Sequence, residues 1–320
     1  MKIGVLQFFG WADRKIPLAS IYDRAIERFE IMDGAGYDAV WLAEHHFSSF
    51  SVCPSVHMMA TIAAARTRRM RIGTAVSLAP FYHPLRLAEE VALLDVLSGG
   101  RVNWGAGRGF SPTEFSAFGI PIEESASRFR ETVEIVLKAW TQDRLTHHGE
   151  HFHFDGVEVL PKPLQPPHPP TWVAATSDTA IDWAAGRGFS ILMDPHCTHR
   201  ELGEKRRRYG ECLGAAGHAD GGRDIPMARL IAVADSAERA AEIARRGAAW
   251  TVGAYIGSGR GDIDPVERYV QEVIIHGTPE AVLDQILGLQ DTAALNYLLC
   301  APLSQESFNL LTERILPKLA

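Results

Sequence analysis

Short apolar runs recur along the chain, and most are followed by a longer stretch whose apolar positions fall at helical spacing. Lys2 to Phe8 reads as a strand, and Leu18 to Ala35 as a helix closed by Gly34 and Gly36. Tyr37 to Leu42 is a second apolar run, of the continuous kind expected for a strand covered on both faces. It stops abruptly in Glu44, His45 and His46. Beyond Cys53-Pro54, a helix capped by Ser55 runs to Ala65, and Arg71 to Leu78 is a third strand. Pro84 suits a first helical position, and Leu85 to Leu97 follows, ended by Gly99-Gly100. Arg101 to Ala106 is the fourth strand and Glu123 to Trp140 a long helix.

The alternation then pauses. Thr146 to Leu160 predicts a β-hairpin turning at Asp155-Gly156, and a proline-dense connector follows. Strand-like runs resume at Thr171 to Ala174, Ser190 to Met193, Met227 to Ala234 and Ala294 to Cys300. Helical stretches lie between and after them, at Asp178 to Arg187, Glu201 to Ala215, Ala237 to Arg246, from Thr278-Pro279, and at Glu306 to Leu319. This alternation predicts an α/β fold, a (β/α)8 TIM barrel formed by a single domain over residues 1–320. A hairpin and proline-rich excursion occupies 146–170, and the glycine-rich stretch 248–277 is a lid-like insertion; hairpin and insertion are both lid candidates. A doubly wound open sheet has the same periodicity and stays open as an alternative.

Composition narrows the class. The chain is 46% hydrophobic and 22% charged, as expected of a globular protein. Its formal charge of −7 argues against a nucleic-acid or anionic-membrane surface. The basic cluster Lys205 to Arg208 reads as a solvated helix face. No apolar run approaches the roughly 18 residues of a membrane span. The four cysteines are scattered without a CxxC pair, and the N-terminus lacks a cleavable signal pattern. A cytoplasmic protein is expected.

Candidate chemistry collects where strands end, since the carboxyl ends of parallel strands share one rim. Glu44, His45 and His46 follow the second strand, Ser77 the third, and Gly107, Arg108 and Gly109 the fourth. Ala174 to Thr179 carries a strand directly into a helix start, whose unpaired N–H groups suit a phosphate. Arg108 would supply charge and a bidentate grip. Gly105 to Gly109 lacks the spacing of a dinucleotide fingerprint. His147, His148, His151 and His153 could gather a metal, but an exposed histidine-rich hairpin is the commoner case, and no metal site is expected. Trp104 reads as barrel core, and His196 as a loop residue within reach of a substrate pocket.

AEHHF at Ala43 to Phe47, GTAV at Gly73 to Val76, His83-Pro84, the block Leu93 to Gly109 and GTPE at Gly277 to Glu280 resemble the bacterial luciferase-like flavin-dependent monooxygenases. The resemblance covers nearly the whole chain and implies FMN on the carboxyl rim of a barrel. It also implies a homodimer packed through the helices at Ser55 to Ala65 and Pro84 to Leu97. Glu44 resembles the family's flavin-site glutamate and His45 its catalytic histidine, with Glu44 orienting it. Ala75-Val76 resembles a non-proline cis peptide lying against the flavin ring. Arg108, Thr176, Ser177 and Thr179 match the FMN phosphate site, with Phe110, Ala174 and Ala175 in the same wall. Two departures stand out. Gly107 replaces a reactive cysteine, leaving extra room, and Ala175 replaces a glutamate.

The implied reaction is that of reduced FMN with O2, giving a C4a-hydroperoxide that oxygenates a small organic substrate. With no nicotinamide motif in the chain, a separate NAD(P)H:flavin reductase is the expected partner. A deazaflavin-dependent hydride-transfer oxidoreductase and a non-catalytic flavin-binding protein are the alternatives.

Overall fold

The computed structural model describes residues 1–256 and 264–319. The first half of the chain comprises β1 (Lys2–Gln7), α1 (Ala19–Ala35), β2 (Ala39–Leu42), α2 (Val56–Arg66), β3 (Arg71–Thr74), β4 (Ser77–Leu78), α3 (Pro84–Ser98), β5 (Val102–Gly107), α4 (Pro112–Ala117) and α5 (Ser125–Thr141). The hairpin of β6 (Leu145–His148) and β7 (His153–Val157) separates it from the second half. That half comprises β8 (Thr171–Ala174), α6 (Asp178–Gly186), β9 (Ser190–Leu192), α7 (His199–Ala215), β10 (Pro226–Val233), α8 (Ala237–Thr251), α9 (Pro265–Glu272), β11 (Ile275–Gly277), α10 (Pro279–Ala293), β12 (Tyr297–Pro302), α11 (Gln305–Leu310) and α12 (Leu316–Leu319).

The main sheet is parallel throughout and runs β11-β10-β12-β1-β2-β3-β5-β8-β9, with β4 also paired to β5. It curls until its β9 edge meets β10. Met193 bridges Met227, the Met193 N–H donates to the Pro226 carbonyl at 2.9 Å, and the Ala228 N–H donates to the Met193 carbonyl at 3.1 Å. Outward-facing strand residues such as Val5, Val40 and Ile231 pack with helix residues in one core. Inward-facing Leu6, Trp41, Trp172, Leu230 and Leu299 form a second. Alternate residues of each strand thus serve two apolar environments, which is why these strands read as continuous apolar runs.

The inner core closes the floor of the curl. Trp41 is fully buried, edge-on to Trp172 with ring centroids 5.2 Å apart, and donates its indole N–H to the Tyr297 hydroxyl at 3.1 Å. A Cβ on Gly73 would lie 2.3 Å from Trp41, so only glycine admits the indole there. With the floor filled, open space remains at the carboxyl ends of the strands.

Helix starts follow the caps read from the sequence. Ser55 accepts from the Met58 N–H, Thr278 caps α10 with Pro279 behind it, and Gly99 takes the left-handed conformation that ends α3. The stretch read as one helix at Glu306 to Leu319 is broken by a π-turn over Leu311–Ile315. The third strand, read as continuous, is interrupted by the non-proline cis bond expected at Ala75-Val76. The hairpin turns at residues 149–152 rather than at Asp155-Gly156, which lie within β7. The reason is Glu131 on α5, whose carboxylate accepts from the N–H groups of His151 and Phe152, each at 2.9 Å. Within 248–277, α9 and β11 are ordinary elements of the fold, and residues 257–263 of that lid candidate lie outside the described residues. The Lys205 to Arg208 cluster lies on a solvated face of α7, as read, with ion pairs from Arg206 to Asp220 at 2.8 Å and from Arg208 to Asp182 at 2.7 Å. Among the described residues no helix is long and apolar enough to cross a membrane.

Candidate active site

A cavity of about 460 Å3 opens at the carboxyl ends of the strands. Of the residues singled out beforehand, Glu44, His45, Ala75, Val76, Arg108, Phe110, Ala174, Thr176, Ser177 and Thr179 line it, and so do Gly107, Asp194 and His196. Ala175 does not: it is buried, and its backbone N–H is held by the Leu192 carbonyl at 3.3 Å. His46 and Ser77 lie behind the wall.

The deep end is organised by Glu44, which is 3% exposed. Its Oε2 accepts from the Leu78 N–H at 3.1 Å and the Tyr82 hydroxyl at 2.9 Å, and its Oε1 lies 2.9 Å from His46 Nε2. A buried carboxylate with three partners meets the requirement that such a group be compensated. Burial and then the Glu44 charge push the Tyr82 hydroxyl far up, so it remains a donor. Behind, Glu114 accepts from the His46 N–H at 2.9 Å.

His45 stands beside this hub. Its ring stacks on Phe8 with centroids 6.3 Å apart and meets Phe50 edge-on at 5.4 Å. Burial, followed by neighbouring His196 and His46, pushes its imidazole down to about 4. It is therefore neutral near pH 7. Across the cavity His196 is likewise depressed by burial, and its Nδ1 hydrogen-bonds the Tyr269 hydroxyl. Burial also pushes the Cys53 thiol up to about 12, so no thiolate forms there.

The mouth is built differently. Arg108 is exposed and forms no ion pair among the described residues. Arg130, on α5, also lines the cavity, its guanidinium 5.5 Å from the Trp183 ring centroid. Ser177 caps α6, accepting from the Ala180 N–H at 3.3 Å, and the Asp178 and Thr179 amides that open the helix have no partner within it. Asp178, whose charge would oppose an anion here, does not line the cavity and pairs with Arg208 at 3.3 Å. Two guanidiniums, a helix N-terminus and the hydroxyls of Thr176, Ser177 and Thr179 thus converge. The arrangement suits a phosphate monoester.

Gly107 does not leave extra room. A Cβ there would lie 2.2 Å from Cγ2 of Val76, so the Val76 side chain already fills the space a larger residue would use. No residue of 146–170 lines the cavity either, because the hairpin is fastened to α5 through Glu131 and His147, 3.1 Å apart. Its histidines face different partners, His148 with Asp155 and His151 with Ser127. Among the described residues no group of histidine, cysteine and carboxylate side chains could hold a metal ion. The residues missed at the sequence level, Phe8, Phe129, Arg130 and Trp183, come from a strand end and from helices. No local signal marked Arg130, which occupies an exposed position of α5.

Comparison with known proteins agrees with this geometry. The family profile described as luciferase-like monooxygenase matches residues 1–296. The chain is 34% identical over 177 residues to the oxygenase component of flavin-dependent trigonelline monooxygenase from Acinetobacter baylyi, covering 55% of this chain and 49% of that protein. It spans about half to two-thirds of the length of the curated relatives it matches. The crystal structure of monooxygenase RslO1 from Streptomyces bottropensis superposes over 100% of both chains, with TM-score 0.88 and 28% identity. The oxygenating constituent of 3,6-diketocamphane monooxygenase from Pseudomonas putida, solved with FMN, superposes over 99% of both chains with TM-score 0.83; at 22% identity that likeness concerns the fold.

Proposed function

The chain belongs to the luciferase-like monooxygenases, and on that premise we propose that its cavity holds reduced FMN and that the protein oxygenates a small organic substrate with O2. The observation that carries this reading is the polarity of one continuous cavity, from an anion-seeking mouth to a neutral imidazole at its deep end. Its volume lies within the roughly 300–1,000 Å3 of small-molecule sites. Arg108, Arg130, Thr176, Ser177 and Thr179 hold the phosphate, Ala75-Val76 and Phe110 border the ring, and Glu44 fixes the wall beside it. When bound, reduced FMN supplies two electrons to O2, one oxygen atom of which enters the substrate while the other leaves as water.

The protein positions and shields this chemistry. His45, neutral at working pH, exchanges a proton with the reacting groups as general base or acid. Glu44 keeps the neighbouring wall and His46 in place, while Leu6, Phe8, Phe129 and Trp183 exclude water. The electrons come from a separate NAD(P)H:flavin reductase, a partner in keeping with the word "component" in the trigonelline relative's name. Purified alone with FMN, the chain is expected not to sustain NADH oxidation.

A second copy of the chain completes the assembly. Met58 and Ile62 on α2 and Leu93 and Leu97 on α3 are exposed apolar residues, Met58 at 72% and Leu97 at 61%. The resulting homodimer is tested by Leu97→Glu, which should give a monomer by sedimentation. The decisive functional test mixes protein-bound reduced FMN with oxygenated buffer in a stopped-flow spectrometer. A transient absorbing species that decays slowly to oxidised flavin is expected. Tight binding and reduction of a deazaflavin in place of FMN would replace this reading with hydride transfer.

A further inference from the structure

A second cavity, of about 290 Å3, lies on the other side of Leu6 and Phe8, which wall both spaces. Arg28, Arg246, Gln7 and Trp250 also line it. Neither guanidinium pairs with a carboxylate among the described residues. Arg28 donates to the Gln305 side-chain oxygen at 2.9 Å and lies over the Phe308 ring, 4.9 Å from its centroid. Burial, and then Arg24, pushes it down to about 10. Arg246 forms no hydrogen bond or ion pair among the described residues. Other arginines of α8 behave differently: Arg239 pairs with Glu242 and Glu306, and Arg245 with Glu267. In a chain with formal charge −7, carboxylates are plentiful, so two guanidiniums left without them beside one cavity are available to an anion from outside.

We propose that this chamber binds the carboxylate of a small organic acid, which is the substrate class of the enzyme. The inference rests on the flavin reading of the main cavity. The carboxylate sits between Arg28 and Arg246, and the apolar body runs along Phe8. Phe8, whose ring stacks on His45, walls both spaces, so a molecule anchored this way lies against the His45 side of the main cavity. Trp250 contributes an aromatic wall with an indole donor.

The test uses isothermal titration calorimetry on FMN-loaded protein with benzoate as probe and benzamide as its uncharged match. Benzoate should bind the wild type and bind Arg246→Gln at least about tenfold more weakly, as expected for loss of a charge-assisted contact. Arg246 is exposed, so this variant keeps the fold. Benzamide should bind both proteins equally and weakly, and Arg108→Ala should leave benzoate affinity unchanged. Unaltered benzoate binding by Arg246→Gln, or its loss in Arg108→Ala, would overturn the chamber. Displacement of benzoate by inorganic phosphate of equal affinity would reduce it to an inorganic-anion site and overturn it as well. FMN binding is followed separately by flavin fluorescence. If FMN fails to bind while benzoate still depends on Arg246, the flavin reading falls and the substrate role with it, while the carboxylate chamber stands.

Discussion

The two ends of the main cavity are built on opposite principles. At the deep end the carboxylate of Glu44 is fully engaged inside the protein, by Leu78, Tyr82 and His46. At the mouth, Arg108 has no ion-pair partner among the described residues, and the Asp178 and Thr179 amides that open α6 have no intrahelical bonds. The first arrangement holds a shape in the absence of any ligand, and the second gains its partners only when an anion arrives. Substitutions at the deep end should therefore act on stability or turnover, and those at the mouth on affinity.

The largest effect is expected from Glu44→Leu. It leaves a buried amide, a buried hydroxyl and an imidazole without their acceptor, at about 1–3 kcal/mol for each group left unsatisfied. A loss of about 3–5 kcal/mol in urea denaturation is expected, together with loss of turnover. A loss under about 1 kcal/mol would mean that the hub is not structural.

The next effect is one of pH. The folded-state value of His45, about 4, lies below its ordinary 6.5, and His199 is likewise pushed down to about 4 by burial and then Arg229. Above pH 6.5 both are neutral in folded and unfolded chains, and stability does not depend on them. Below 6.5 the unfolded chain takes up protons that the folded chain excludes, so stability falls as pH falls towards 4. Each histidine should remove about 2 kcal/mol between pH 7 and pH 5. His45→Asn should flatten this slope in denaturation experiments, whereas Arg108→Ala should not alter it. Parallel slopes for wild type and His45→Asn would show that the imidazole is not held neutral.

Affinity divides the two ends most directly. Arg108→Ala should weaken FMN binding by about ten- to a hundredfold, the value of a charge-assisted contact. His45→Ala should change affinity by less than about threefold while turnover falls by about 10²–10⁴. Equal affinity losses would erase the distinction between the ends.

How much of this was legible follows the same division. Residues such as Glu44, His45, Arg108 and Ser177 could be read because each directly follows an apolar strand, and parallel strands bring their carboxyl ends together. What could not be read depends on contacts between elements. Arg130 reaches the mouth from within α5, where sequence spacing marks it as an ordinary exposed helix position. The hairpin turn was misplaced because Asp155-Gly156 carries a strong local turn signal, while Glu131, distant in sequence, holds the actual turn. The second chamber was invisible for the same reason: Gln7, Arg28 and Arg246 lie on β1, α1 and α8 and meet only in the fold.

Gly107 gives the smallest expected effect and lies between the two ends. A glycine there suggests added room, yet Val76 Cγ2 stands 2.2 Å from where its Cβ would be. Gly107 on β5 and Val76, next to β4, form one close-packed seam in the cavity wall, since β4 pairs with β5 through Leu78 and Gly107. Gly107→Ala should therefore cost about 1–3 kcal/mol by overpacking. Adding Val76→Ala should recover most of that loss, because the two side chains compete for one volume. A double variant no more stable than Gly107→Ala alone would mean that the wall adjusts elsewhere, and that the pair does not set the shape of the site. If recovery is seen, FMN affinity in the double variant should stay within about threefold of wild type, since the mouth is untouched. Substrate preference would then move with the seam while phosphate binding does not, which is the separation that the two ends predict.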